Sequence, residues 1–309
     1  MSAYHRPIME DEVVEGLALK DGGIYFDGTA GGGGHSFAIL NSNPKVKLVA
    51  TDKDTEAIEE ATKRLSPFQG RFTIRHSDFK NYANVFSEAG IEKIDGFLLD
   101  LGISSHQIDD EKRGFAYRLK NAPLDMRMDT DSPFSAKDVV NGYSEEALKK
   151  ILKEYGEERF AGAIAKKIVS YRAKKPIETC GELEALVREG IPPKFRTPAC
   201  ARQSFQAIRI EVNGELNGLG ECVRGLVDRL RVGGRGCVLT FHSLEDRIVK
   251  QTFKDLATGC TCPKELPVCV CGRKERVRLL GRYTASEREI KENSRSKSAK
   301  LRVIEKISE

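Results

Sequence analysis

The sequence predicts an α/β doubly wound fold with a helical block inserted into it, and three observations lead to this prediction. Four strand-like apolar segments occupy the first hundred residues, and the gaps between them leave room for helices. This alternation stops near residue 105 and resumes after about residue 213. A glycine-rich stretch directly follows the first apolar segment. Alternating strands and helices are typical of a mostly parallel sheet with helices on both faces.

The first part of the chain has the clearest alternation. Its strand-like segments are residues 23–26, 47–51, 71–75 and 94–99. Between the second and third of these, residues 54–65 predict an amphipathic helix, because Ile58, Ala61 and Leu65 recur on one face.

The last part of the chain returns to the same pattern. Residues 216–230 predict a helix that Gly233-Gly234 ends, and residues 236–241 predict the next strand. Ser243 is expected to cap a further helix, and residues 301–304 are expected to form a last strand.

The block between these two parts carries helical patterns only. Thr179 and Glu182 have the spacing of a capping box before a further helix. We therefore expect a discontinuous main domain of residues 1–104 and 213–309, with residues 105–212 inserted as a helical subdomain for substrate recognition.

Composition limits the location and the partners. The N-terminal residues lack the apolar core of a signal peptide, and no apolar run approaches the ~20 residues of a membrane span. These features predict a cytoplasmic protein with no membrane partner. The net charge of +5 is modest, but residues 273–302 hold eleven Lys or Arg against four Asp or Glu. Such a stretch suits a phosphate backbone, and a solvated charged face is the alternative.

The glycine-rich loop, residues 27–35, has the position of a cofactor loop between a strand and a helix. Gly28 and Gly33 have the spacing of a phosphate-binding loop, but no Lys follows them. A dinucleotide fingerprint beginning at Gly31 or Gly32 does not have its third glycine. S-Adenosylmethionine is the ligand that remains, and a tight turn without a ligand is the alternative.

Three further residues follow predicted strands. Asp52 ends the second strand, where a carboxylate can accept hydrogen bonds from both hydroxyls of a ribose. Phe79 follows the third, where a ring can cover an adenine or simply pack in the core. Asp100 ends the fourth, where a methyl acceptor would meet the cofactor, and we expect it to be catalytic.

The chain resembles the bacterial small-subunit ribosomal RNA cytosine-N4 methyltransferases, the RsmH or MraW family. The stretches that carry this resemblance run through most of the chain: residues 5–8, 27–36, 100–107, 113–115, 123–129, 155–159, 204–209, 212–213, 241–248 and 295–301. One departure is His106, where the family usually has Pro.

The resemblance implies a class I (Rossmann-like) S-adenosylmethionine-dependent methyltransferase with a helical insertion after strand four. It implies N4-methylation of one cytidine in the decoding region of 16S rRNA, so the small ribosomal subunit is the expected partner and DNA is not. The cofactor contacts that it implies are Gly33, Gly34, His35, Asp52, Phe79, Asp100 and Gln107. Methylation of another nucleic-acid amine, such as adenine N6, and a non-catalytic RNA-binding assembly factor are the alternatives.

The inserted block also offers cations and aromatics that suit RNA. These are Arg113, Arg118, Arg127, Lys194, Arg196, Arg202 and Arg209, with Phe115, Tyr117 and Phe205. Taken singly, each is more often a surface charge or a core ring.

Four of the eight cysteines lie close together in the sequence, at Cys260, Cys262, Cys269 and Cys271. Four thiolates can bind one structural zinc ion, although the Cys-x-Cys spacing is less diagnostic than Cys-x-x-Cys. Reduced thiols and redox pairing are the alternatives.

Overall fold

The computed structural model describes residues 7–263 and 270–309. The chain divides into two compact units, residues 1–102 together with 218–309, and residues 103–217. His5 and Arg6 of the first family stretch, and Cys269 of the cysteine cluster, lie outside the described residues.

The first unit is built on a seven-stranded sheet. Its strands are β1 Ile24–Asp27, β2 Lys47–Asp52, β3 Phe72–His76, β4 Ile94–Asp100, β5 Leu230–Thr240, β6 Val277–Thr284 and β7 Lys300–Lys306. The strand order is β3-β2-β1-β4-β5-β7-β6; β1 to β5 are mutually parallel, and β7 is antiparallel to both of its neighbours. The predicted doubly wound α/β fold is therefore confirmed, and the order is that of class I methyltransferases.

Thirteen helices accompany the sheet in the described ranges, and none of them is long and apolar enough to cross a bilayer. In chain order they are α1 Glu10–Leu17, α2 Gly34–Ser42, α3 Thr55–Leu65, α4 Tyr82–Glu88, α5 Ser105–Asp109, α6 Ala136–Gly142, α7 Glu145–Glu154, α8 Ala161–Arg172, α9 Cys180–Gly190, α10 Arg202–Asn213, α11 Leu219–Arg229, α12 Ser243–Leu256 and α13 Glu287–Glu292. Two short 3-10 helices also matter for the sites, Phe79–Asn81 and Pro193–Phe195.

The central strands of the sheet are buried on both faces, and their successive side chains point to opposite sides, each covered by helices. In β1, Tyr25 packs with α1 and α2, whereas Phe26 packs with α11 and α12. In β4, Leu98 and Leu99 divide between the same two clusters. The carboxyl ends of β1 and β4 are neighbours, and β1 also pairs with β2, so the direction of strand order reverses here. This reversal is where open α/β sheets bind ligands.

The second unit has its own core, formed by the helices α6 to α10. The helical stripes expected from the sequence are buried, as in Leu148 and Leu152 of α7 and Ile164 and Ile168 of α8. The predicted capping box is also present, since Thr179 accepts the Glu182 amide hydrogen at 3.2 Å.

Three local predictions of the last part of the chain were wrong. The Gly233-Gly234 pair does not separate a helix from a strand; it lies inside β5, at the irregularity where its pairing with β4 shifts register. His242, not Ser243, is the N-cap of α12. β6 was missed, because its alternation is interrupted by a bulge between Leu279 and Gly281.

Candidate active site

The loop after β1 is held in place by a buried carboxylate. Asp27 is fully buried, and its oxygens accept the Thr29 amide hydrogen at 3.1 Å and the Ser36 hydroxyl at 2.6 Å. Burial raises the pKa of Asp27, and the Ser36 hydrogen bond acts in the opposite direction. Asp27 therefore connects the strand, the loop and the start of α2, and it serves the shape of the loop.

Two glycines of this loop meet real spatial constraints. Gly33 has a left-handed backbone (φ 76°), and a Cβ there would lie 3.0 Å from Ala61 Cα. At Gly28, a Cβ would lie 2.4 Å from Leu99 Cδ2 and 2.8 Å from Phe79 Cβ. Only glycine fits both positions without movement of the neighbours. The loop consequently passes close to α3 and β4, and its backbone N–H groups lead into α2 at Gly34.

Asp52 stands at the carboxyl end of β2 beside this loop. Its two oxygens accept the amide hydrogens of Gly31 at 2.7 Å and Asp54 at 2.9 Å. Burial raises the pKa of Asp52 to about 6, more than these hydrogen bonds lower it. The side chain thus faces the loop as expected, and its pKa lies above the ordinary range of a carboxyl.

Phe79 opens the 3-10 helix that follows β3. Asp78 caps this helix by accepting the Lys80 amide hydrogen at 2.9 Å, and it pairs with Lys53 at 2.7 Å. The Phe79 ring is partly buried against the core cluster that contains Phe26. Because Phe79 also lies close to Gly28, it borders the glycine loop. Packing in the core and contact with a cofactor are therefore compatible at this position.

Asp100 and His35 form the polar centre of the site. The backbone N–H of Asp100 donates to Thr29 Oγ1 at 2.6 Å, and the Asp100 carboxylate lies 3.4 Å from His35 Nε2. Burial lowers the pKa of His35, but Asp100, with help from Asp27, raises it above its ordinary value overall. Nδ1 of His35 and Oδ1 of Asp100 are buried without a hydrogen-bond partner among the described residues.

Unsatisfied buried polar atoms of this kind call for a ligand or ordered water. A glycine loop that admits close backbone approach, a strand-end acid at Asp52 and the orphaned atoms of Asp100 and His35 fit a charged, ribose-bearing cofactor. Each is a property of the first unit alone, and S-adenosylmethionine has the matching chemistry.

Gln107 belongs to the second unit, where it is buried in α5. Its side-chain oxygen accepts a hydrogen bond from the Ser104 backbone N–H at 3.0 Å, and its backbone N–H donates to Ser104 Oγ at 3.1 Å. This reciprocal capping box gives Gln107 a structural task. Its contact with a cofactor stays a prediction.

Sequence reasoning missed the acids that fix the end of β5. Glu245 is 2% exposed and accepts the amide hydrogens of Phe241 and His242. Asp246 accepts hydrogen bonds from Arg302 at 2.7 Å and Lys300 at 3.1 Å, which joins α12 to β7. Both acids stand in the family stretch 241–248, but only the fold shows that Asp246 pairs with residues from the far end of the chain.

Several residues predicted to contact RNA are internal in the second unit. Arg113 is 4% exposed and donates to the Arg127 and Met128 carbonyls. Phe115 and Phe205 are core residues. The prediction of RNA contact was wrong for these buried side chains, and it lost support for the two arginines that are already paired, Arg127 with Asp125 and Arg209 with Glu215.

Three thiols of the cysteine cluster converge. The Sγ atoms of Cys260, Cys262 and Cys271 lie within 4.8 Å of one another, and Cys260 and Cys271 are 3.7 Å apart. Cys180, Cys200, Cys222 and Cys237 do not belong to this cluster, and burial raises the pKa of Cys222 and Cys237 to about 12, as expected for inert core thiols.

The sheet order, the glycine turn into α2 and the acids that end β2 and β4 define a class I S-adenosylmethionine-dependent methyltransferase. The model of the MraW methylase family matches residues 2–307, and the chain belongs to this family. It is 50% identical to "Ribosomal RNA small subunit methyltransferase H" of Geobacter sp. (strain M21), over 98% of this chain and 99% of that protein.

A protein of the same name from Clostridioides difficile (strain 630) is 48% identical, over 99% of this chain and 100% of its own length. Among solved structures, an rRNA methylase from Streptococcus thermophilus aligns with 99% of this chain and 100% of its own, at 13% identity and a TM-score of 0.42. The family resemblance drawn from the sequence is confirmed, and the chain is a methyltransferase.

Proposed function

We propose that this enzyme transfers the methyl group of S-adenosylmethionine to N4 of one cytidine in the decoding region of 16S rRNA. The observation that carries the proposal is Asp100, which ends β4 beside His35 and the glycine loop with one buried oxygen lacking a partner among the described residues. The names of the relatives support small-subunit rRNA as the substrate. A ribosomal substrate in turn supports a cytoplasmic location.

The cofactor would be held by this chain's loop and strand ends. Gly33, Gly34 and His35 would meet it through the start of α2, Asp52 would accept hydrogen bonds from the ribose, and Phe79 would cover the adenine. When bound, S-adenosylmethionine supplies an electrophilic methyl group on a sulfonium.

The acceptor is a poor nucleophile, because the lone pair of the cytosine amino group is delocalised into the ring. Asp100 would accept a hydrogen bond from the amino protons or orient the cofactor, and His35 would hold its carboxylate. Most of the rate enhancement would then come from positioning and electrostatics. The cytosine has to leave its stack first, which costs a few kcal/mol.

We also propose that the second unit, residues 103–217, recognises the RNA around the target. Its support is chemical: residues 190–205 contain three cations and no acid, and residues 193–199 are all exposed.

Labelled S-adenosylmethionine and small subunits that lack the modification test the main proposal. We expect label at N4 of a single cytidine, and Asp100→Ala should lose most turnover while its melting curve stays normal. Label at adenine N6 would replace the proposed substrate, and RNA binding without label would identify a non-catalytic factor. Near-normal turnover of Asp100→Ala would remove this residue from the mechanism.

A second proposal concerns a structural zinc ion at the cysteine cluster, with Cys260, Cys262 and Cys271 as ligands and Cys269 as the fourth. Tetrahedral zinc with sulfur at 2.3 Å requires sulfur atoms about 3.8 Å apart, and the Cys260–Cys271 separation of 3.7 Å supports this. Protein purified without chelator should contain about one equivalent of zinc, and Cys260→Ser should lose it. Protein without zinc even after incubation with the metal would contradict the site.

A further inference from the structure

An aromatic side chain is exposed on the second unit with two cations against it. Phe195, in the 3-10 helix Pro193–Phe195, is 38% exposed. The Arg159 guanidinium carbon lies 4.9 Å from the centre of its ring, and the Lys194 ammonium lies 5.1 Å from it. The Phe160 ring is 5.3 Å away and also contacts Arg159. These four residues are called the Phe195 platform.

The turn before Arg159 and Phe160 is closely packed and has a strained backbone. Glu157 has a left-handed backbone (φ 51°), and a Cβ at Gly156 would lie 2.7 Å from the Gln203 carbonyl oxygen. Glu158 is 5% exposed and accepts the Phe160 amide hydrogen at 3.0 Å, while its other oxygen is buried without a partner among the described residues. Strain of this kind persists only where the surroundings fix it, and it concentrates at binding sites.

The cations of the platform are not neutralised. In the part of the chain that the structure describes, Arg159 and Lys194 make ring contacts but no hydrogen bond and no ion pair. A second exposed aromatic cluster differs in how its cation is bonded. Phe37 is 37% exposed and packs on Phe68, and Arg71 lies over the Phe68 ring. This Arg71 donates to two backbone carbonyls at 3.0 Å each. Arg71 is committed to the structure of its own unit, whereas Arg159 and Lys194 keep their donors.

We propose that the Phe195 platform stacks one unpaired base of the RNA substrate, with Arg159 and Lys194 contacting the flanking phosphates. An exposed ring among uncommitted cations matches the base face and backbone of single-stranded RNA. An acidic protein surface would engage the cations and leave the ring without a matching partner. The inference deepens the proposed function and rests on its RNA substrate.

Binding of a short single-stranded RNA that carries the fluorescent base 2-aminopurine tests the platform directly. Phe195→Ala should weaken binding about tenfold and abolish the quenching that stacking causes, whereas Phe195→Trp should retain both. Arg159→Ala and Lys194→Ala should each lower the slope of log affinity against log salt by about 0.7. Phe37→Ala is the matched control, and it should bind RNA like the unchanged protein.

Unchanged RNA affinity and quenching in Phe195→Ala would overturn the proposal. Weaker binding of Phe195→Ala to assembled small subunits, together with normal binding to protein-free RNA, would also overturn it and assign the platform to a ribosomal protein. Because the readout is RNA binding, a failure of methyl transfer in the first experiment would leave this result unaffected, so the two proposals can fail separately.

Discussion

The acid at the end of β2 should make cofactor binding depend on pH. Burial, together with the charges of Asp54 and Asp27, raises the pKa of Asp52 to about 6. Only the ionised carboxylate can accept hydrogen bonds from both hydroxyls of a ribose. The affinity for S-adenosylmethionine should therefore be full above this pKa and fall as the pH drops through it.

The size of this effect follows from the ionised fraction. With a pKa of about 6, about one-eleventh of Asp52 is ionised at about pH 5, so the affinity should be about tenfold lower there, or about 1.4 kcal/mol. The stability of the ligand-free fold should move in the opposite direction. A pKa raised from 3.8 to about 6 corresponds to about 3 kcal/mol, which is lost as the pH rises through this range.

Calorimetry of S-adenosylmethionine binding from about pH 5 to about pH 8, with denaturant unfolding at the same pH values, measures both trends. Asp52→Asn should bind weakly at every pH and lose the step. Glu88→Gln, which removes an exposed carboxylate at the end of α4, should keep it. An affinity that is flat across this range in the unchanged protein would refute the assignment of Asp52 to the ribose.

Two further predictions concern positions around the site. Gly33→Ala should lower the free energy of unfolding by more than the about 1–2 kcal/mol that a left-handed alanine costs, because its Cβ would also press on Ala61. Gly70→Ala is the control: its φ is 85° and the space around it is open, so urea unfolding should show the cost of the backbone conformation alone. Equal losses of stability in the two variants would contradict the close approach of Gly33 to Ala61. Asp246→Asn should lower the free energy of unfolding by about 2 kcal/mol at neutral pH, because burial raises the pKa of Asp246 but Arg302 and Lys300 lower it by more. The difference in stability between the variant and the unchanged protein should shrink below about pH 4. A difference that does not depend on pH would contradict this ion pair.

Much of the fold was predictable from the chain. The four early strands were placed to within one or two residues, because buried parallel strands are short apolar runs between turn signals. The edge strand β6 was not, since its bulge breaks the alternation and Leu279 is exposed. The prediction at Gly233-Gly234 was wrong for a related reason, since a glycine pair marks an irregularity inside a strand as readily as the end of a helix.

The candidate site shows the same division. Asp52 and Asp100 could be predicted because the carboxyl ends of parallel strands meet at one edge of a sheet, so position along the chain implies position in space. The contact of Asp100 with His35 and the pKa of Asp52 depend on burial, which requires the packed structure.

By itself, the sequence determined the fold class, the glycine loop with its strand-end acids and the family, because these depend on local order and on strings of residues. Tertiary structure alone decided which cations and rings are available for RNA. Arg113 and Phe205 were selected from the sequence as RNA contacts and Arg159 and Phe195 were not, yet the first pair is buried and the second lies at the surface. The physical reason is that burial of a side chain is set by the elements that pack over it, and these come from distant parts of the chain.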